Sequence, residues 1–510
     1  MRTHILTSVA VAAAISGAPL VNVQGAQAPA QQQPPPSQAV VQKGRAPVST
    51  DVLRVTLPRP GTATLSNGLH LIVLEDRRVP RVTFQLMIPG AGGYYDPAGL
   101  PGAATVTATM MREGTAGRSS SQLSEQLETI AASVGVSAGM SSTEATVSGS
   151  CLTEHAETLF EIFADVLLAP SFPEEELGRY KQRTQASLIQ QRSNAGFLGS
   201  ELYSRVMYGS HPAGRVSITP EGLQKVTRAA LVDFHRTRYV PDHAALAIAG
   251  DISLAEARKL VEGKLGGWKK AGATAPTTAE PPLPGAAKVS FVARPNSVQT
   301  NLMVGAPAIS RTDPEYDVVS VMNKIIGGGP TGRLFMVLRE EKGYTYGAYS
   351  NVSALRWRGA WQASTQVRTE VTGNALRDLL AEVAKLREQP VPDKEFADHK
   401  RAMVGSFALS LESPQQMINY YVTSWRYSLP SDYWDKFPER IEAVTQAQVR
   451  AAARKYLDPS RLQIVAVGDP KTGPEVLKEF GTVETYDVEG KRIGAGSSGQ
   501  LLQHRPAVAR

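Results

Sequence analysis

One helix-turn-strand pattern occurs twice in this chain, and that repetition restricts the fold more than any other feature. The first copy is VTRAALVDFHRTRYVPDHAALAIAGD, Val226 to Asp251, and the second is VTQAQVRAAARKYLDPSRLQIVAVGD, Val444 to Asp469. Each opens with Val-Thr at a helix start, carries a Tyr near the helix end and a Pro in the turn, and closes with an apolar strand ending in Gly-Asp. The separation from Thr to Gly is the same in both, Thr227 to Gly250 and Thr445 to Gly468. A single block of this kind is common, but two in matching frame predict a duplicated domain. With 510 residues and 42% hydrophobic content, the chain has ample material for two cores.

The connection between the halves is expected at Lys269 to Ala287, KKAGATAPTTAEPPLPGAA, whose Pro, Ala and Thr suit an exposed linker. This places the domains at 50–268 and 288–480. In the first, Leu69 to Leu74 and Val82 to Met87 predict strands around the charged turn Glu75 to Arg78. Leu123, Leu127, Ile130 and Ala131 then lie at helical spacing, as do Ala156, Leu159, Phe160, Phe163 and Leu167. Strands followed by helices, without strict alternation, predict an α+β fold. We expect two homologous α/β-sandwich domains, each a mixed, mainly antiparallel sheet packed with helices. From 481 to 510 a flexible tail is expected.

Residues 1–28 combine Arg2, an apolar run from Ile5 to about Ile15 and the small-residue site Ala26-Gln27-Ala28, the pattern of a secretory signal peptide. The alternative is an uncleaved membrane anchor, for which the run is short. Residues 29–49, rich in Pro and Gln, predict a disordered tether. Export places the mature chain in the periplasm, with no transmembrane segment of its own. The single cysteine, Cys151, excludes an internal disulfide and a Cys-based metal site. The net charge of +7 is spread without a dense basic block, which argues against a nucleic-acid partner.

The segment Gly99 to Thr115, GLPGAATVTATMMREGT, contains no His, Cys or Asp, and its only acidic residue is Glu113. Its flanks resemble the site helix of the pitrilysin/insulinase family, the inverted zincins, whose motif is H-x-x-E-H. With the closing Gly-Thr aligned on Gly114 and Thr115, the motif histidines fall on Thr105 and Thr109, and the motif glutamate on Ala108. A further glutamate ligand of the family, after the stretch Phe172 to Tyr180, falls at about Ser187. Zinc takes nitrogen, thiolate or carboxylate ligands, so these positions predict no metal and no cofactor in this chain.

In the second half, Gly327-Gly328-Gly329-Pro330-Thr331-Gly332-Arg333-Leu334-Phe335 leads to Leu338-Arg339-Glu340-Glu341-Lys342-Gly343-Tyr344-Thr345-Tyr346. This is similar to the family's second-domain signature of a glycine turn, R-L-F, L-R-E-x-x-G and a Tyr on the following strand. The resemblance implies that Arg339 and Tyr346 reach toward the zinc half and steady the substrate carbonyl, with Gly327, Gly328 and Gly329 as a glycine turn at the site. A guanidinium fork and a phenol are suitable donors to a developing oxyanion. Without the resemblance, Arg339 would be a solvated helix residue and Tyr346 a strand aromatic. No phosphate-cradle spacing is present.

Gly135 to Gly149 resembles the family's substrate-pairing edge strand, with Ser137 near the position of its usual Asn. The remaining histidines, including His70, His155, His211 and His235, lack ligand spacing and are expected to be structural.

The resemblance is to the mitochondrial-processing-peptidase-like branch, in which a zinc-bearing chain pairs with a metal-free one. It implies a non-catalytic subunit that acts on peptide substrates only with a homologous partner carrying H-x-x-E-H and the zinc. The alternative is a non-enzymatic scaffold or peptide-binding protein of the same fold.

Overall fold

The computed structural model describes residues 53–493 apart from residue 273. The signal and tether expected at 1–28 and 29–49, and the tail beyond 493, lie outside the described residues.

The first sheet contains β1 (Gly61–Thr64), β2 (His70–Glu75), β3 (Arg81–Pro89), β4 (Ser133–Ala138), β5 (Glu144–Leu152) and β6 (Ala245–Gly250) in the order β1-β2-β6-β3-β5-β4. Only the β2/β6 pair is parallel. The second contains β7 (Lys288–Ala293), β8 (Gln299–Pro307), β9 (Ala348–Ser353), β10 (Ala360–Arg368), β11 (Gln463–Gly468), β12 (Val483–Tyr486) and β13 (Arg492–Ile493) in the order β13-β12-β7-β11-β8-β10-β9. Here β7 is parallel to both β11 and β12. The order β2-β6-β3-β5-β4 thus recurs as β7-β11-β8-β10-β9, and the fold is the expected duplicated α+β architecture.

The repeated block shows why its residues recur. Thr227 and Thr445 each cap a helix, Arg228–Arg238 and Gln446–Tyr456, by accepting from the backbone N–H three residues on. Val226 and Val444 before them are buried, as are Tyr239 and Tyr456. The strands β6 and β11 are buried along their whole length between a parallel and an antiparallel neighbour, so both read as unbroken apolar runs. Gly250 has φ +130°, and a Cβ there would lie 1.9 Å from the carbonyl oxygen of Arg81.

One expectation is corrected. The chain after residue 481 does not leave the domain: β12 and β13 extend the second sheet, with Tyr486 over the guanidinium of Arg205 and Lys288 bonded to Glu484. Val483 and Ile493 pack against the second core, and that apolar contact holds the segment down. The described residues of the connection 269–287 have no regular structure but are tied at several points. Tyr95 donates to the Thr277 carbonyl (3.0 Å), Ala279 N–H donates to Tyr94 Oη (2.8 Å), and Arg358 donates to the Pro281 carbonyl (2.6 Å).

Each sheet carries its own helices on one face, and a helix of the other half covers the opposite face. Helix Ala195–Tyr208 of the first half packs on β8 and β11, burying Leu198, Leu202 and Tyr203 against Val292, Met303, Val465 and Val467. Helix Pro414–Tyr427 of the second half packs on β3 and β6, burying Met417, Ile418 and Val422 against Ile72, Leu74, Met87 and Ala247. The pair Arg426–Glu144 (2.7 Å), largely buried, adds a charged link between the halves. The exchange makes the two halves one body.

Candidate functional site

The helix Ala103–Met110 begins at Gly102, whose φ of +99° and close approach to Ile218 exclude a side chain. Its first free N–H groups are satisfied by Asp96, which accepts from Gly102 (2.6 Å) and Ala104 (2.8 Å). Burial raises the Asp96 pKa above the ordinary carboxylate value, while these two bonds and Arg215 oppose the rise. Sequence reasoning missed Asp96, because its ligands are backbone groups several residues away. At the other end Gly114 has φ +152° and lies against Ser171 and Pro173, and Thr115 Oγ1 accepts from Arg118 N–H (3.1 Å). The flanks of the motif are therefore a helix start and a corner of the fold.

Between them, Thr105 and Thr109 are the only residues of the helix that are not buried. They lie four apart on one stripe, where two histidines would share a metal ion. Thr105 Oγ1 instead donates to the Ala138 carbonyl at the end of β4 (2.7 Å), and Thr109 Oγ1 donates to the Thr105 carbonyl (3.0 Å). Ala108 is 1% exposed and belongs to the first core. Ser187 sits exposed on helix Glu174–Gln191, 3.5 Å from the Gln191 amide. Two hydroxyls already used as local donors, a methyl group and an exposed serine do not fit zinc. Among the described residues, no group of three or more His, Cys, Asp or Glu side chains is placed to hold a metal.

Gly135 to Gly149 is a hairpin, with β4 as the sheet edge, Ser137 exposed on it and β5 as the inner strand. An open cavity of about 320 Å³ lies beside the empty motif, lined by Thr109, Arg112, Glu113, Ser120, Ser124, Gly135 and Val136.

In the second half, helix Tyr316–Ile326 ends in the glycine turn. A Cβ on Gly327 would lie 2.6 Å from Ser350 Oγ and 2.7 Å from Ser350 N, so the turn is pressed against β9. The Gly327 carbonyl accepts from Ser350 N–H (2.8 Å), and the Gly328 carbonyl accepts from Lys324 (3.1 Å). Gly329 has φ +152°. Arg333 then forms a fork on Glu395 (2.7 and 3.0 Å). After Arg333–Phe335 the backbone runs as a π-helical stretch, Met336–Glu341, which carries Arg339. Such stretches are often found at functional sites.

Arg339 is half exposed, pairs with Glu340 and lies over the Phe335 ring (5.3 Å). Tyr346 is 94% exposed and makes no hydrogen bond to a described residue. The loop that presents it is clamped from behind: Thr345 Oγ1 accepts from Gly347 N–H (3.1 Å), and Thr365 Oγ1 donates to the Gly347 carbonyl (3.0 Å). Phe335 and Tyr349 pack at 5.5 Å, and Tyr349 and Met336 are partly exposed nearby in sequence. No hydrogen bond links Arg339 or Tyr346 to Thr105, Thr109 or Ser187 among the described residues.

The other histidines are tied into the fold. His211 accepts from Ala213 N–H (3.2 Å) and contacts the Ala279 carbonyl (3.2 Å). Nε2 of His235 donates to the Leu167 carbonyl (2.8 Å), and His70 stacks on Trp425. Burial lowers the pKa of all three.

A duplicated α+β sandwich with a vacated site helix in one half and a glycine-turn signature in the other is the architecture of a peptidase-like chain. Residues 71–220 match the family model described as insulinase (peptidase family M16), and residues 225–403 match that of the peptidase M16 inactive domain. The chain belongs to the peptidase M16 family. It is similar to a Streptomyces coelicolor protein described as an uncharacterized zinc protease, 24% identical over 77% of this chain and 86% of that one. It is also similar to a Helicobacter pylori protein described as a non-peptidase homolog, 21% identical over 79% of this chain and 92% of that one. Among solved structures, a peptidase M16 inactive domain from Pseudomonas fluorescens aligns with a TM-score of 0.75 at 29% identity, covering 81% of this chain and 98% of that one.

Proposed function

We propose that this chain is the zinc-free subunit of a two-chain M16-type metallopeptidase, exported to the bacterial periplasm. A homologous partner carrying H-x-x-E-H supplies the zinc and the base. This chain supplies half of the enclosing chamber and offers Arg339 and Tyr346 to the substrate carbonyl of a bound peptide. The observation that carries this reading is the contrast between the two halves. The stripe at Thr105 and Thr109 offers only hydroxyls already bonded within the chain, whereas Tyr346 is held almost fully exposed by a clamped loop seven residues after the half-exposed Arg339. A phenol and a guanidinium presented in this way can act on something outside the chain.

The test is reconstitution. The chain alone should neither bind zinc stoichiometrically nor cleave peptides, and the pair should do both. Arg339→Ala and Tyr346→Phe should each lower kcat/KM of the pair by about 10²-fold or more while leaving assembly intact. Chelator-sensitive proteolysis by the lone chain, or full activity of both variants in the pair, would overturn the proposal. The second outcome is what a non-enzymatic scaffold would give.

A further inference from the structure

A second candidate site lies where both halves and the linker meet, and it is independent of any zinc-bearing partner. A pocket of about 290 Å³ opens there, walled by Tyr95 and Glu144 of the first half, Pro276 of the linker, and Arg356, Trp425 and Arg426 of the second half. Arg426 donates to the Glu144 carboxylate (2.7 Å) and to Thr143 Oγ1 (3.1 Å). Its Nε is buried and has no hydrogen-bond partner among the described residues. Arg356 is exposed and donates only Nη2, to the Arg426 carbonyl (2.7 Å). Its remaining N–H groups are bonded to no described residue.

Two guanidinium groups and one carboxylate line the pocket, and only Arg426 is paired with that carboxylate, so Arg356 leaves an excess positive charge and a free donor edge. Met87, Pro89, Pro276 and the Trp425 ring form the apolar part of the wall, beside the Thr143 hydroxyl and the Tyr95 phenol. Two non-glycine residues with left-handed backbone, His243 (φ +62°) and Ser428 (φ +51°), also line it, and strain of this kind collects at ligand sites.

We infer that this pocket binds a carboxylate carried on a compact apolar group, the chemistry of a peptide's C-terminal residue. The Arg356 fork takes the carboxylate, and the apolar wall takes the side chain. A single excess charge favours a carboxylate over a phosphate dianion.

The experiment is isothermal titration of the full chain alone with N-acetyl-leucine, N-acetyl-leucinamide and inorganic phosphate. The acid should bind at one site, with the amide about tenfold weaker or worse, the size of one lost charge-assisted contact. Arg356→Gln should weaken the acid by a similar factor and leave the amide unchanged, whereas Arg179→Gln, on the exposed helix Glu174–Gln191, should change neither. Equal binding of acid and amide by the unmodified protein would overturn the inference without reference to any variant. So would phosphate binding as tightly as the acid, no binding of the acid at millimolar concentration, or indifference of the acid to Arg356→Gln.

Discussion

A methyl group on Gly305 probes the exchange of helices between the two halves. Gly305 lies in β8, paired with Gln362 of β10 on one side and Gln463 of β11 on the other, so its backbone cannot move aside. A Cβ there would stand 2.0 Å from Tyr203 Oη and 2.6 Å from Cζ. Tyr203 belongs to the other half, is 5% exposed, and donates its hydroxyl to the Trp361 carbonyl at 3.2 Å. Gly305→Ala must therefore displace the phenol, at about 3 kcal/mol, the upper part of the usual range for overpacking. Tyr203→Ala alone should cost about 3–5 kcal/mol through the cavity it leaves. In that cavity the methyl of Gly305→Ala meets no ring, so the double variant should be less destabilised than the sum by about 1–3 kcal/mol. Urea unfolding of the four proteins, followed by far-ultraviolet circular dichroism and tryptophan fluorescence, measures the coupling. Coincident transitions by both probes are expected in every case, because the contact joins the halves. Additivity within about 0.5 kcal/mol would refute the packing argument, and loss of one half before the other would refute the single body.

Stability should fall as the pH drops below 6.5, because His235 and the buried His399 have folded-state pKa values lowered by burial. The unfolded chain then takes up protons first, so their contribution is complete above 6.5 and declines as pH falls toward the lower folded values. His235→Gln, whose amide can still donate to the Leu167 carbonyl, should flatten this acid limb in melting experiments; an unchanged slope would exclude His235 as a source. Gly327→Ala should cost about 1–3 kcal/mol because it meets Ser350 backbone, as judged by urea midpoints. Gly343→Ala, at φ +60° with open space around it, should cost only about 1–2 kcal/mol of left-handed strain, and the reverse order would contradict the geometry. Thr105→His with Thr109→His should create a weak zinc site, and adding Ser187→Glu should tighten it if that position is the third ligand. Calorimetry showing no gain from Ser187→Glu would discard that assignment.

The duplication was legible because its signals are local: a capping Thr, a buried Val before it, and a strand apolar along its whole length. The exchange of helices was not legible, since Ala195–Tyr208 and Pro414–Tyr427 carry apolar faces whose partner sheet no periodicity names. The end of the second domain was misread for a related reason. Residues 483–486 are half-buried, with a weak apolar signal, and their order comes from pairing with β7. His399 lies on helix Asp393–Ser410 among charged residues, yet is 5% exposed, which its neighbours in sequence do not indicate. In the site, the identities of Thr105, Ala108 and Thr109 were enough to exclude zinc donors. That the Thr105 and Thr109 hydroxyls are bonded within the chain required coordinates.

The geometry separates what folding requires from what it does not. Gly102, Asp96 and Gly114 hold the ends of the first-half helix, so a chain of this fold needs them or equivalents whatever it does. Likeness in those flanks is evidence of fold alone. Thr105 and Thr109 face outward, so ligands there can be replaced by hydroxyls without opening the core. The same argument applied to the second half gives the opposite result. Gly327 and Arg333 are explained by their contacts with Ser350 and Glu395, but no described hydrogen bond accounts for Tyr346. A large phenol left 94% exposed at the mouth of an edge strand adds little to stability, and apolar area in water is a cost in solubility. A residue that folding does not require, on a loop that is itself held rigid, is the position at which contact with another molecule is the better physical explanation.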